Sequence, residues 1–150
     1  MGKALILYGS TTGNTEEMSE MIKGTLSGLG LETEMKNVLN AGVEDLKADH
    51  DLVLLGCPAY GDDAVELQED FQELYENLDG TDLSGRRVAV FAPGDSSYDH
   101  FCGSVDVLEE KMTELGATLV VEGLKVDGDP ADEAGDIAEW AESAVKALQE

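Results

Sequence analysis

Lys3-Ala-Leu-Ile-Leu-Tyr-Gly-Ser-Thr-Thr-Gly-Asn-Thr15 decides the fold of this chain. An apolar run, Ala4 to Tyr8, stops at Gly9. Hydroxyl and amide side chains crowd around Gly13, and apolar residues at helical spacing begin directly afterwards. This order predicts a buried strand, a tight loop and a helix N-terminus. Backbone N–H groups left open at a helix start, ringed by short hydroxyls, suit an anion, above all a phosphate. The candidate residues are Ser10, Thr11, Thr12, Gly13, Asn14 and Thr15. An ordinary capped helix after a glycine turn would read the same from this stretch alone.

The stretch excludes the commoner phosphate loops. A Walker-type loop needs Gly-x4-Gly-Lys-Ser/Thr, but Gly9 and Gly13 stand too close and Asn14 takes the Lys position. A dinucleotide fingerprint needs Gly-x-Gly-x-x-Gly, and an acid at the tip of the next strand. That strand ends in Met35-Lys36-Asn37. No Lys or Arg lies between Lys3 and Lys23, so neutral donors must hold the phosphate. A bound mononucleotide fits this better than a triphosphate undergoing transfer.

The 150 residues suffice for one domain with a proper core, and 42% are hydrophobic, so disorder is not expected despite the charge. No stretch approaches a membrane span, and there is no signal-type apolar segment, which points to the cytoplasm. Cys57 and Cys102 fit a reducing compartment and form no CxxC motif. The net charge of −24 argues against nucleic acid and anionic membranes, and for a basic patch on a partner protein. The acids are concentrated: Ala48 to Gly85 holds eleven Asp or Glu and no Lys or Arg.

Along the chain, Met18, Ile22, Leu26 and Leu29 mark a first helix, ended by Gly28 and Gly30. Leu31 to Lys36 alternates as a half-exposed edge strand, and residues 38–50 read as irregular and polar, with one weak helix before the next strand. Asp51 to Cys57 is a strand buried on both faces. A loop from Pro58 to Val65 follows, then a helix on Leu67, Phe71, Leu74 and Leu78. Arg87 to Ala92 is a further buried strand, Pro93 to Gly103 a loop, and Val105, Leu108, Met112 and Leu115 a helix. Ala117 to Val126 is expected as one uninterrupted strand. Asp129-Pro130 opens a last helix that turns Ile137, Trp140, Ala144, Val145 and Leu148 inward. Alternation of this kind predicts a three-layer, doubly wound α/β fold on a five-stranded parallel sheet. Ligands of such sheets sit beyond the carboxyl ends of the strands, so the loops Ser10–Thr15, Pro58–Asp63 and Pro93–Cys102 should meet.

The second and third loops share a chemistry. Ala59-Tyr-Gly-Asp-Asp63 and Gly94-Asp-Ser-Ser-Tyr-Asp-His-Phe-Cys-Gly103 each set a Tyr among glycines and acids, suited to clamping a flat ring. Together with Gly9 to Thr15, these segments resemble the flavodoxin family, most closely the short-chain flavodoxins of sulfate-reducing bacteria. Flavodoxins are themselves the standard example of strand order 2-1-3-4-5, so that order comes with the resemblance.

The resemblance implies a low-potential one-electron carrier, not an enzyme. It would work through the semiquinone/hydroquinone couple of tightly but non-covalently bound FMN. Ser10, Thr11, Thr12, Gly13, Asn14 and Thr15 would hold the phosphate. Pro58 and Ala59 would pass the ribityl chain, and Tyr60 and Tyr98 would flank the ring. Gly61 would offer its carbonyl to flavin N5, beside Asp62. Pro93, Gly94, Asp95, His100, Phe101 and Cys102 would close the pyrimidine end. Partners would be basic patches on cytochromes or oxidoreductases, met by a monomer, with no nucleic acid or membrane. The sequence departs from relatives at Tyr60, where Trp is frequent, at Pro58 and Ala59, where hydroxyls are frequent, and at His100. An FMN-dependent quinone reductase is the rival on the same fold. The residues argue against a receiver domain, because Ser10-Thr11-Thr12 and Cys57-Pro58 stand where its acids are needed.

Overall fold

A computed structural model describes residues 2–9, 14–47, 50–57, 59–60, 66–67, 69–78, 80–94, 103–127 and 130–148. In order these form β1 (Lys3–Tyr8), α1 (Asn14–Gly28), β2 (Glu32–Asn37), a 3₁₀ turn (Val38–Asn40), α2 (Val43–Lys47), β3 (Leu52–Gly56), β4 (Ala59–Tyr60) and β5 (Glu66–Leu67). There follow α3 (Glu69–Asn77), β6 (Arg87–Gly94), α4 (Gly103–Glu114), β7 (Thr118–Leu119), β8 (Leu124–Asp127), a second 3₁₀ turn (Pro130–Glu133) and α5 (Ala134–Leu148).

The main sheet is parallel, in the order β2-β1-β3-β6, with β7 and β8 lying one after the other along the far side of β6. Counted by position, this is the expected 2-1-3-4-5. Successive residues of a strand point to opposite faces, and both faces here are covered. Ala4, Ile6, Leu52, Leu54, Ala89 and Phe91 therefore enter one core, against Ile22 of α1 and Ala141 of α5. Leu5, Leu7, Val53, Leu55, Val88 and Val90 enter the other, against Phe71 of α3 and Leu108 of α4. The layers are helix, sheet, helix.

Two helices end on the same device. At the end of α1 the Gly30 N–H reaches the Ser27 carbonyl and the Leu31 N–H the Leu26 carbonyl, both at 3.1 Å. At the end of α4 Gly116 and Ala117 repeat it on Thr113 and Met112. The glycines have φ of 94° and 95°, a left-handed conformation that only glycine adopts without a steric penalty.

Several sequence expectations are corrected here. Leu29 lies beyond the end of α1 and is 47% exposed; Leu31, brought back by the turn, is buried in its place. The one weak helix expected between the second and third strands is α2; what the sequence reading left out is the 3₁₀ turn before it and the burial of Val38 and Leu46. The Asp45 side chain accepts from the Gly42 N–H at 2.8 Å and from Lys36 Nζ at 2.8 Å, so a helix of barely more than one turn is held by a capping contact and an ion pair. Leu67 belongs to β5, and α3 starts only at Glu69. The stretch read as a Pro58–Val65 loop contains β4, paired antiparallel with β5. Pro93 and Gly94 belong to β6 rather than to the following loop. The 3₁₀ turn starting at Pro130 precedes α5, which begins at Ala134. Finally, the last strand is not continuous, because Val120–Gly123 separate β7 from β8.

Candidate functional site

Strands β1 and β3 end level with one another, while β6 beside them runs on to Gly94. Tyr8 pairs with Gly56, and Gly56 with Phe91. The chain stays knitted beyond the tips: the Gly9 N–H donates to the Gly56 carbonyl at 3.0 Å, and the Cys57 N–H to the Phe91 carbonyl at 3.3 Å. In chain order β1 leads to α1, β3 to the β4–β5 ribbon, and β6, after its last residues pair with β8, to α4. The three segments picked out in the sequence therefore follow the carboxyl ends of three adjacent strands, β1, β3 and β6.

Gly56 is the pivot of this arrangement. A side chain there would come within 2.5 Å of the Phe91 ring and 3.0 Å of the Thr15 methyl. Its bareness lets the first turn of α1 settle directly onto the tip of β3. Glycine ending the Leu-Val-Leu-Leu run was the available signal, parallel to Gly9 ending the first run. The pattern of the sequence assigns Gly56 no role of its own.

Thr15 is 1% exposed, and its Oγ1 has no hydrogen-bond partner among the described residues, although its carbonyl accepts from Ser19 Oγ at 2.8 Å. A buried hydroxyl without a partner costs about 1–3 kcal/mol. In the first turn of a helix, where N–H groups also lack intrahelical acceptors, such a hydroxyl is suited to an anionic oxygen. This is the chemistry expected of a phosphate held by neutral donors.

The surrounding field is negative. Glu16 and Glu17 stand in the first turn of α1. Burial, reinforced by Glu16 and Glu20, pushes the Tyr8 hydroxyl above its ordinary pKa. Lys36 engages Asp45 at 2.8 Å and Glu34 at 3.6 Å, and Lys125 engages Asp106 at 3.0 Å. Lys36 sits near the end of β2 and Lys125 within β8, and both are committed to carboxylates.

The other site candidates are placed as follows. Ala59 and Tyr60 are backbone-paired with Leu67 and Glu66, so the strand tip is braced before Gly61. Pro93 and Gly94 pair with Val126 and Asp127. Asn14 is the first residue of α1. Ser10, Thr11, Thr12, Gly13, Pro58, Gly61, Asp62, Asp95, Tyr98, His100, Phe101 and Cys102 lie outside the described residues. Among the described residues no group of acids, His and Cys forms a metal site, and no helix is long and apolar enough to cross a membrane.

Comparison with known proteins agrees along the whole chain. The family model described as flavodoxin matches residues 6–140. A flavodoxin of Maridesulfovibrio salexigens is 46% identical over 93% of this chain and 94% of its own. One of Nitratidesulfovibrio vulgaris is 45% identical over 99% and 100%. Among solved structures, oxidised flavodoxin 1 from Bacillus cereus superposes with a TM-score of 0.89 at 35% identity, covering 96% and 97% of the two chains. A Fusobacterium nucleatum flavodoxin bound to flavin mononucleotide shares the fold, with a TM-score of 0.83 at 19% identity over 97% and 98%.

Proposed function

Because this chain belongs to the flavodoxin family, we infer that it is a cytoplasmic, monomeric carrier that binds FMN and passes electrons singly between redox proteins. The observation that carries the reading is Thr15: a buried hydroxyl without a partner among the described residues, in the first turn of α1, seated over Gly56 where β1 and β3 end together. FMN, when bound, supplies the redox chemistry; the protein supplies binding, orientation and field.

In this reading Thr15 and Asn14, with Ser10, Thr11, Thr12 and Gly13, hold the phosphate through hydroxyls and backbone N–H groups. Pro58 and Ala59 line the sugar chain. Tyr60 and Tyr98 cover the ring faces. Gly61, next to Asp62, would offer its carbonyl to the ring edge, directly after the backbone pairing of Tyr60 with Glu66. Pro93 and Gly94, with Asp95, His100, Phe101 and Cys102, close the far end. The acids at the strand tips oppose added negative charge on the ring and so lower its potential. The same acids steer basic patches on partner proteins, an attraction that salt weakens.

The test is a spectrum of the purified protein, loaded with FMN and reduced stepwise. Two resolved one-electron steps are expected. A colourless protein that takes up no FMN overturns the reading, and a single two-electron step favours the quinone-reductase alternative.

A further inference from the structure

Hydroxyls within these helices have a default partner. Ser19, Thr25, Thr113 and Ser143 each donate to the carbonyl four residues earlier, at 2.8 to 3.3 Å. Thr15 is the second residue of α1, so no carbonyl of that helix lies four residues before it. Its buried Oγ1 is without a partner among the described residues. No hydrogen bond among them selects the direction of this hydroxyl. The other substituent on the same carbon does.

Gly56 leaves a space at the tip of β3, and two side chains converge on it. The far edge of the Phe91 ring lies 2.5 and 2.6 Å from where a Cβ would stand, and Thr15 Cγ2 lies 3.0 Å from the same point. Ring edge and methyl therefore share one apolar seat. The methyl and the hydroxyl of Thr15 leave one tetrahedral carbon, and a β-branched side chain is stiff at χ1. With the methyl seated, the hydroxyl has a single direction; either other staggered rotamer lifts the methyl off the ring. The seat is braced from behind. Phe91 is fully buried, and its backbone lies between Gly56 on one side and Leu124 on the other. Its ring meets Trp140 edge-on, with 5.9 Å between centroids. Trp140 is held in turn by its indole N–H, which donates to the Glu122 carbonyl at 2.8 Å.

We propose that Phe91 is a positioning residue for the phosphate: by seating the Thr15 methyl over Gly56, it aims the Thr15 hydroxyl at a phosphate oxygen. Phe91 acts only through Thr15. The proposal deepens the FMN reading and rests on it. It also confines the effect to one part of the ligand. The ring and sugar chain are common to FMN and riboflavin, so only the ligand that carries a phosphate senses the seat.

The experiment titrates FMN and riboflavin separately into apoprotein, follows the quenching of flavin fluorescence, and reads the ratio of the two affinities. Phe91→Leu cannot reach the seat with its shorter side chain. It is expected to lower the FMN-to-riboflavin ratio about tenfold, the size of one misdirected hydrogen bond to a charged group. Thr15→Ser keeps the hydroxyl and removes the methyl, and is expected to lower the ratio by the same factor. In the Thr15→Ser background, Phe91→Leu should lower it no further. Equal weakening of both flavins by Phe91→Leu overturns the proposal, since Phe91 would then be structural only. An unchanged ratio in Thr15→Ser overturns it too, because the hydroxyl would need no seat. So does a full additional loss in the double variant, which would place the action of Phe91 elsewhere. If Phe91→Leu does not fold, Thr15→Ser decides alone by the same ratio. A wild type that binds neither flavin overturns the functional reading and this proposal with it; a wild type that prefers FMN, with variants that keep its preference, overturns this proposal alone.

Discussion

The two edges of the sheet solve one problem in opposite ways. At the β2 edge the strand is continuous, and alternate residues face water: Glu32 and Glu34 are exposed, and Thr33 and Met35 half-buried. Its register follows β1 without a slip from Lys3–Glu32 to Tyr8–Asn37. The edge is kept from pairing with another chain by its own charges. At the opposite edge the strand is broken into β7 and β8, and the groups that close the break come from helices: Trp140 from α5 and Glu109 from α4. One edge is specified by its own residues; the other by partners 18 and 14 residues away in sequence. A pattern fixes local register, whereas a bulge needs distant side chains to satisfy what the ladder no longer does.

The sharpest way to break that difference is Gly123→Ala. Val105 occupies the space a methyl would need, so about 3 kcal/mol should be lost, measured as a drop in urea unfolding free energy. Adding Val105→Ala should recover part of this, and the double-mutant cycle should show a coupling of the same sign. The β2 edge rests on its own alternation instead, so single changes there should stay small.

Trp140→Phe probes the same edge more gently. The ring can keep its edge-on contact with Phe91, now at 5.9 Å between centroids, but the Glu122 carbonyl loses its donor. About 1 kcal/mol of stability should go, read by the same unfolding curves.

On the β2 side the effect should appear in pH rather than in magnitude. The Lys36 hydrogen bond holds the Asp45 carboxyl below its ordinary range, helped by the Gly42 N–H. A depressed carboxyl stabilises the fold above the unfolded-state value of about 3.9. That contribution is lost as pH falls through the lower folded value. Thermal midpoints of wild type and Asp45→Asn should therefore differ at about pH 6 and converge progressively on acidification below about pH 4. The comparison must be a difference, because protonating many carboxylates also relieves repulsion in a chain of net charge −24. A constant gap across that range would show that the Lys36–Asp45 contact does not hold α2.

The centre of the molecule was legible because its signals are local. Leu52 to Leu55 and Val88 to Ala92 are apolar on both faces, as a covered parallel strand must be, and all are buried. Gly30 and Gly116 stop their helices where the sequence placed the ends. Leu29 misled because helical spacing continued past the helix: the glycine turn reverses the chain there and delivers Leu31 to the core instead. Leu67 misled because its spacing to Phe71 fits a helix, while a ladder with Ala59 claims it first. At the site, Thr15 could be picked out from a hydroxyl cluster after a strand. Gly56 could not, since only the approach of Phe91 and α1 makes its missing side chain matter.

The order of residues alone set the buried strands, the helix stops, the acidic balance and the three polar segments that follow the strand tips, because each depends on neighbours within a few positions. The level ends of β1 and β3, the seat of Thr15 on Gly56 and the break in the last strand closed by Glu109 and Trp140 were decided only in three dimensions. Each of those brings together groups far apart in the chain, and no local preference selects between the surfaces they could have met.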